Sequence, residues 1–322
     1  MPTRRTILAS ALAATAAPAW AQSAYPDRPI RLVIPFAGGG ATDILSRLLA
    51  ERLAELLRQP VVADNRPGAG GNLGADLVAR SAPDGYTLVL GVVGTHAINP
   101  TLFPSIPFDP IRDFTPISLV ATAMNVLVVN LDLPVRSVRD LIDYARARPG
   151  QLNFGSPGNG STVQLAGELF KTMSGTDMVH TPYRGTAAAM TDLLAGRIQM
   201  QFDNLPSAVP HVREGRLRAL AVTGAERSSA LPEVPTIAEA GLPGYEATTW
   251  FALFGPAGLP SQVTARLNRA VHDALAGTHM RQRFAELGAE PAAGTPDELT
   301  ALIRRDTEKW GRVIRVSGAR ID

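Results

Sequence analysis

The chain has 322 residues and a near-balanced charge, with 31 lysines and arginines against 29 aspartates and glutamates. It contains no cysteine, which excludes disulfides, thiolate metal sites and cysteine nucleophiles. The fold must therefore be stabilised by core burial alone, and a chain of this length fits two lobes better than one.

The first 21 residues have the features of a cleaved signal peptide. Arg4 and Arg5 precede a short apolar stretch, 7–17, and residues 19–21 (Ala-Trp-Ala) form a small-x-small cleavage pattern. The stretch is too short to span a bilayer, and the paired arginines suit either twin-arginine or general secretory export. The leader holds two of the 31 basic residues and no acid, so 29 of each sign remain, which gives little support to a nucleic-acid partner. We expect a soluble protein exported to the periplasm.

Short apolar runs alternate with amphipathic stretches through the first third of the mature chain. The expected elements are strand 31–36, helix 43–58, strand 61–64, helix 71–82 and strand 86–93. This β-α-β-α-β order predicts a parallel sheet with helices on its faces.

A proline-rich connector, residues 99–114, follows and is interpreted as the crossing between lobes. Alternation then resumes with strands 125–129, 152–155, 178–181 and 198–202 and helices 138–147, 162–173 and 186–195. Strand 218–223 is a candidate for the return to the first lobe, and strand 250–254 and helices 260–276 and 295–314 complete the chain. The order predicts an α/β protein with two doubly wound lobes, lobe 1 from residues 22–122 and 224–322 and lobe 2 from residues 123–223, with a ligand cleft between them.

The loop from Pro35 to Asp43 joins the first strand to the first helix through three consecutive glycines. It lacks the lysine and spacing of a phosphate-binding P-loop and has no true G-x-G-x-x-G motif. Glycines let backbone approach a ligand, and a helix start offers free N–H groups to an anion. The loop is interpreted as an anion contact in which glycine makes room for a small carboxylate, although a tight turn with Asp43 complementing the helix dipole would give the same pattern.

A second glycine cluster, residues 67–74, does not emerge directly from a strand, so the context of a dinucleotide site is missing. It is interpreted as close packing of a loop against the following helix.

Two further loops, residues 153–162 and 181–186, also join a predicted strand to a predicted helix. Ser161 is a plausible N-cap, and no G-x-S-x-G nucleophile elbow is present. Loops at the carboxyl ends of strands converge on one crevice, and Thr95, His96 and Asp203 occupy the same kind of position. Asp203 could equally orient the loops of lobe 2, and a lone histidine such as His96 is more often structural. The five histidines show no metal-ligand spacing, so neither a metal nor a cofactor is expected.

An export leader followed by five motifs, in order, resembles the Bug receptors, the periplasmic solute-binding proteins of tripartite tricarboxylate transporters (TctC family). The five motifs are IRLVIPFAGGGATD, VVADNRPGAGGNLGADLVARSAPDGYTL, NFGSPGNGS, HTPYRG and MQFDNLPSA. The resemblance covers nearly the whole mature chain. It implies a type II periplasmic binding fold that encloses a small carboxylate. One departure is Gln164, where many members have a histidine.

The resemblance and the loops together nominate one set of ligand contacts. They are Phe36, Ala37, Gly38, Gly39, Asp43, Thr95, His96, Ser156, Gly158, Asn159, Ser161, Thr162, Tyr183, Gly185, Thr186 and Asp203. The leading hypothesis is a monomeric, non-enzymatic receptor that closes on a small organic carboxylate and presents it to membrane transporter subunits or a sensor. The alternatives are an exported α/β enzyme, using Asp43, Asp203, His96 or Tyr183, and a scaffold protein without a cleft ligand.

Overall fold

The computed structural model describes residues 25–319, and the predicted signal peptide, residues 1–21, lies outside them. The strands are β1 (Ile30–Ile34), β2 (Val61–Asn65), β3 (Thr87–Val92), β4 (Phe114–Val129), β5 (Asn153–Ser156), β6 (Val179–Pro182), β7 (Met200–Asn204), β8 (Arg218–Val222), β9 (Thr248–Pro256) and β10 (Ala289–Pro291). The helices are α1 (Ala41–Leu57), α2 (Asn72–Ala79), α3 (Asn99–Leu102), α4 (Val138–Arg146), α5 (Thr162–Ser174), α6 (Thr186–Leu194), α7 (Leu205–Arg213), α8 (Ser261–Ala276), α9 (Thr278–Glu286) and α10 (Pro296–Ser317). A 3₁₀ turn, Ala69–Gly71, precedes α2, and a π-helical turn, Gly94–Ile98, precedes α3.

The strands pair in the order β2-β1-β3-β9-β4-β7-β5-β6, and β8 and β10 also pair with β4. Strand β4 is long enough to belong to two sheet regions: residues 114–124 pair with β9, and residues 125–129 pair with β7 and β8. We call the region with β1–β3, β9 and β10 lobe 1 and the region with β5–β8 lobe 2. The β2-β1-β3 and β7-β5-β6 pairings are parallel, as predicted, whereas β9 and β10 run antiparallel to their neighbours.

The crossing between the lobes differs from the prediction. The proline-rich connector does not cross: its Phe108 is buried in the core and packs edge-on against Phe114, with ring centroids 5.5 Å apart. Strand β4 crosses instead, because its 16 residues extend from the pairing with β9 to the pairing with β7 and β8. The strand predicted at 218–223 stays in lobe 2 as β8, and the return runs through residues 223–248 into β9.

Three helices were not predicted from the sequence: α3, α7 and α9. Pro206 lies in the first turn of α7, where a missing N–H costs no hydrogen bond, so it does not prevent the helix. None of the helices within residues 25–319 is long and apolar enough to cross a membrane.

The chain passages between the lobes are bound to one another at Thr223. The Asn125 N–H donates to Thr223 Oγ1 at 2.8 Å, the Thr223 N–H donates to the Asn125 carbonyl at 2.9 Å, and the Ala247 N–H donates to the Thr223 carbonyl at 2.9 Å. All three segments are thus fixed at one point. Helix α10 packs against both β4 and α5, so it contacts both lobes.

Candidate functional site

The first turns of four helices face one cleft between the lobes, which we call the inner cleft. Helix α1 belongs to lobe 1 and helices α5, α6 and α7 to lobe 2, and each directly follows a strand. Loops after the carboxyl ends of strands meet at such a crevice. The helix starts contribute Gly40, Ala41, Thr42, Ser161, Thr162, Val163, Thr186 and Asn204, and the remaining wall consists of Phe36, Val92, Gly94, Pro157, Thr249 and Phe251.

These helix starts favour an anion without using a cation. Among the described residues, those lining the inner cleft include no charged side chain. The N-cap residues of α1, α6 and α7, which are Gly40, Gly185 and Asn204, make no side-chain capping bond, so first-turn N–H groups stay available. Each helix also places the positive end of its dipole at the cleft. Neutral donors from both lobes can therefore surround one negative group.

A larger space, the outer cavity, adjoins the inner cleft and shares Phe36 and Pro157 with it. Its other lining residues are Ala37, Pro67, Gly68, Ala69, Gly70, Gly71, Phe103, Gly158, Asn159, Tyr183 and Arg184. The glycine cluster 67–74 thus reaches a cavity wall. It also packs against the helix that follows, as predicted: a Cβ at Gly68 would lie 2.5 Å from Leu73 Cδ1 of α2.

Asp43 holds the first loop, residues 35–40, by hydrogen bonds and lines neither the inner cleft nor the outer cavity. Its Oδ2 accepts the Gly39 N–H at 3.0 Å, and its Oδ1 accepts Arg47 Nε at 2.9 Å and Asn65 Nδ2 at 3.0 Å. Burial alone would raise the pKa of Asp43, but the hydrogen bonds from Arg47, Gly39 and Asn65 outweigh it and hold that pKa below its usual value. Asp43 is a positioning residue for the loop. Gly38 is exposed and lines neither space.

The loop between β5 and α5, residues 157–161, is the second loop of the site, and polar side chains hold it in place. Ser156 Oγ lies 2.7 Å from His180 Nε2 and donates to the Gly158 carbonyl at 3.1 Å. Burial, with a smaller contribution from Lys171, lowers the pKa of His180 to about 4, so this imidazole is neutral near pH 7.

Gln164 completes that loop, because its Oε1 accepts the Gly160 N–H at 2.8 Å. The glutamine that departs from the family pattern therefore has a defined role in shaping the loop. Ser161 caps α5 by accepting the Gln164 N–H at 3.2 Å, as predicted, and it also lines the inner cleft.

The third loop of the site joins β6 to α6. It places Thr186 in the inner cleft and Tyr183 in the outer cavity. The Tyr183 hydroxyl donates to Asp192 Oδ2 at 2.8 Å. Burial first, and then this bond to Asp192, raise the pKa of Tyr183 to about 12, so the hydroxyl is neutral. The tyrosine offers the cavity its ring, since its oxygen is already bound.

Two glycines, Gly40 of lobe 1 and Gly185 of lobe 2, lie where the two lobes are in contact. A Cβ atom at Gly40 would lie 2.8 Å from Thr186 Oγ1, and one at Gly185 would lie 2.8 Å from Ala37 Cβ. The lobes are therefore in contact across the cleft, in a closed arrangement. The sequence predicts that the glycines of the first loop make room for a ligand, whereas in the structure Gly40 makes room for the opposite lobe.

Thr95 and His96 lie in the core of lobe 1 and do not reach the cleft. His96 stacks on Phe254 with ring centroids 4.0 Å apart, and its Nδ1 lies 2.8 Å from Thr95 Oγ1. Complete burial lowers the pKa of His96 to about 3, so the ring is neutral. The expectation of ligand contact at these two residues is corrected, because the π-helical turn that carries them directs both side chains inward.

Asp203 is also buried and lines neither space; its Oδ2 accepts the Ser207 hydroxyl at 2.7 Å. Burial raises its pKa to about 6. The neighbouring Asn204, which the sequence analysis missed, lines the inner cleft instead. The strand-end rule located this position correctly, but successive side chains of a strand point to opposite faces, and the rule alone does not choose between them. Thr249 and Phe251 of β9 also line the inner cleft, and no motif around them in the sequence indicated this.

Comparisons with known proteins agree with this architecture. The model of the tripartite tricarboxylate transporter family receptor, TctC, matches residues 45–319. BugT of Bordetella pertussis is 40% identical over 312 residues, which cover 97% of this chain and 95% of the relative. The solved structure of R. palustris Rpa4515 with adipate is 42% identical, with a TM-score of 0.90 over 91% of this chain and 98% of that one. The structure of the periplasmic binding protein BugD is 32% identical, with a TM-score of 0.88 over 92% of this chain and 99% of that one. These likenesses confirm the two-lobed periplasmic binding fold, and the chain belongs to the tripartite tricarboxylate transporter receptor family.

Proposed function

We propose that this protein is a periplasmic receptor that closes its two lobes on a small organic carboxylate. The observation that carries the proposal is the convergence of four helix N-termini, from both lobes, on one cleft. Among the described residues, no charged side chain lines this cleft. Hydroxyls of Thr162 and Thr186 add donors to the backbone N–H groups. A ligand held by donors from both lobes stabilises the closed state more than the open one.

The groups available for catalysis support a binding role over the alternative of an exported enzyme. Asp43 is held by three hydrogen bonds, Asp203 and His96 are buried away from the cleft, and the Tyr183 hydroxyl is bound to Asp192. None of these groups lines the inner cleft within residues 25–319, and a general base must come within hydrogen-bond reach of its substrate.

The remaining parts of the proposal concern the whole receptor. We place lobe 1 at residues 22–122 and 224–322 and lobe 2 at residues 123–223, with movement at the segments joined by Thr223. The signal peptide would direct export by the Sec or twin-arginine route. In the periplasm the receptor would act as a monomer without a cofactor or nucleic acid and deliver its ligand to membrane transporter subunits or to a sensor.

Isothermal titration of ligand-stripped, refolded protein with a panel of small carboxylates tests the proposal, and the corresponding uncharged amides are the controls. We expect at least one acid to bind and its amide to bind far more weakly, because the helix N-termini favour negative charge. Native mass spectrometry of the protein as purified would identify a co-purified acid. Absence of binding to every carboxylate, or equal binding of acid and amide, would refute the proposal.

A further inference from the structure

Asn204, the residue before α7, is an N-cap residue that does not cap its helix. An asparagine at this position normally accepts a backbone N–H of the first helical turn through its side-chain oxygen. Asn204 makes no such bond, and Pro206 within that turn has no N–H to donate. Because Asn204 lines the inner cleft and its amide is not used for capping, its polar atoms are available to another partner.

The orientation of the Asn204 amide is set by Asn125 of the crossing strand β4. The two residues are direct partners in the pairing of β4 with β7, and Asn125 is completely buried. Asn125 Nδ2 donates to the Thr162 carbonyl at 3.3 Å, and Asn125 Oδ1 accepts from Asn204 Nδ2. Because a carbonyl can only accept, Asn125 must present its nitrogen to Thr162, so its oxygen faces Asn204 and requires a donor there.

The side chain of Asn125 thus connects two of the helix starts at the cleft. Thr162 begins α5 and Asn204 precedes α7, and both line the inner cleft. The backbone N–H and carbonyl of Asn125 are bound to Thr223, where the passages between the lobes meet. A substitution that shortens the Asn125 side chain leaves these backbone bonds in place, so its effect on the cleft can be measured.

We propose that Asn125 is a positioning residue for ligand binding: it holds the Asn204 amide so that the second hydrogen of Nδ2 is donated to the ligand. One hydrogen of this nitrogen is bound by Asn125 Oδ1, and no other described residue accepts from it. Without Asn125 the amide is free to turn and accept the Ser207 N–H, as an ordinary N-cap does. The inference rests on the proposed function, and it adds a ligand contact and the residue that orients it.

Isothermal titration of Asn204→Ala, Asn125→Ala and the double variant tests this coupling. The probe is the acid that binds wild-type protein most tightly in a panel of straight-chain mono- and dicarboxylates of about two to eight carbons. Each single variant should bind it about tenfold more weakly, the size expected of one hydrogen bond to a charged group. The double variant should be no weaker than Asn204→Ala, whereas two independent contributions would multiply to about a hundredfold.

Asn130→Ala is the matched control. Asn130 directly follows β4, is also buried and donates through Nδ2 to the Leu193 carbonyl at 2.8 Å, but it lines neither space. Its replacement should lower the melting temperature, as that of Asn125 does, and leave the affinity unchanged. If Asn125→Ala does not fold, Asn125→Ser takes its place, because the shorter side chain loses the bond to Asn204 and leaves a smaller cavity.

The side-chain amide signal of Asn204 gives a second readout, which a purely structural role would not move. In a nitrogen–proton correlation spectrum this signal is the NH₂ pair that is lost in Asn204→Ala. It should shift when the acid is added to wild-type protein, and in ligand-free Asn125→Ala its position should already differ from wild type. The NH₂ pair of Asn130, identified by its loss in Asn130→Ala, should not respond to the acid.

A loss of about a hundredfold in the double variant, or equal losses in Asn125→Ala and Asn130→Ala, would remove the positioning role of Asn125. Wild-type affinity in Asn204→Ala, or an Asn204 signal that the acid does not shift, would overturn the ligand contact as well. In these cases a carboxylate still binds wild-type protein, so the proposed function stands. Absence of binding by every acid of the panel would instead remove the proposed function, and the inference with it.

Discussion

Replacing Gly40 by alanine should impair closure without disturbing the folded lobes. Gly40 has φ −89° and ψ 171°, an extended conformation that alanine adopts without strain. The added Cβ would meet only the opposite lobe, at 2.8 Å from Thr186 Oγ1 and 3.3 Å from Thr186 Cβ. The open state has no such contact, so the substitution acts on the closed state selectively.

The size of the effect follows from these distances. An ordinary contact begins at 3.4 Å, so the hydroxyl oxygen is about 0.6 Å too close. The Thr186 side chain is short and β-branched, which restricts its χ1 rotation, and its Cβ is fixed to the backbone, so the lobes must stay slightly apart. Overpacking of this kind costs about 1 to 2 kcal/mol. Because closure and binding are coupled, ligand affinity should fall about 5- to 30-fold.

Isothermal titration measures the affinity, and thermal unfolding of the ligand-free protein checks the fold. Gly38→Ala is the control, because a Cβ at Gly38 would lie 3.6 Å from Asp43 Oδ2 and would touch no residue of lobe 2. We expect Gly38→Ala to bind normally and both variants to melt near the wild-type temperature. Wild-type affinity in Gly40→Ala would refute the argument that this glycine permits lobe contact.

Three further substitutions test other parts of the site. Ser161→Ala should lower both stability and ligand affinity, each by about 1 kcal/mol, because its hydroxyl caps α5 and donates to the Gly158 carbonyl in the loop beside the cleft. Ser137→Ala, which removes the equivalent cap of α4 outside the cleft, should lower stability alone; equal affinity losses in the two variants would contradict a role of Ser161 in shaping the cleft. Asp43→Asn should reduce the free energy of unfolding, measured with urea at pH 7. Because the pKa of Asp43 is lowered in the fold, its contribution to stability is present above the unfolded pKa and is lost as pH falls through the folded pKa. A stability difference between wild-type protein and Asp43→Asn that stays constant down to low pH would contradict this. The pKa of Asp203 is raised to about 6, so its contribution is full below the unfolded pKa and is lost as pH rises through the folded pKa. Relative to Asp203→Asn, wild-type stability should fall by about 2 kcal/mol between about pH 4 and pH 7, and a pH-independent difference would show that Asp203 is ionised throughout this range.

The sequence by itself determined most of the elements and helix starts. Hydrophobic periodicity defined β1–β3, β5–β7 and the helices between them to within a few residues. The Ser161 cap and the glycine loop before α1 were also readable, because capping and backbone freedom depend on neighbouring residues alone. Since the loops after parallel strands converge, even the general place of the cleft followed from element order.

The tertiary structure decided which side chains reach the cleft and what the glycines face. Asp203 and Asn204 are adjacent in the chain, yet only the packing of α7 on the sheet of lobe 2 buries the first and leaves the second at the cleft. The contact of Gly40 with Thr186 joins residues 146 positions apart, and the outer cavity at Arg184 exists because two lobes meet there. Local patterns fix the backbone of each element, but such features arise from long-range packing, which no short stretch of sequence encodes.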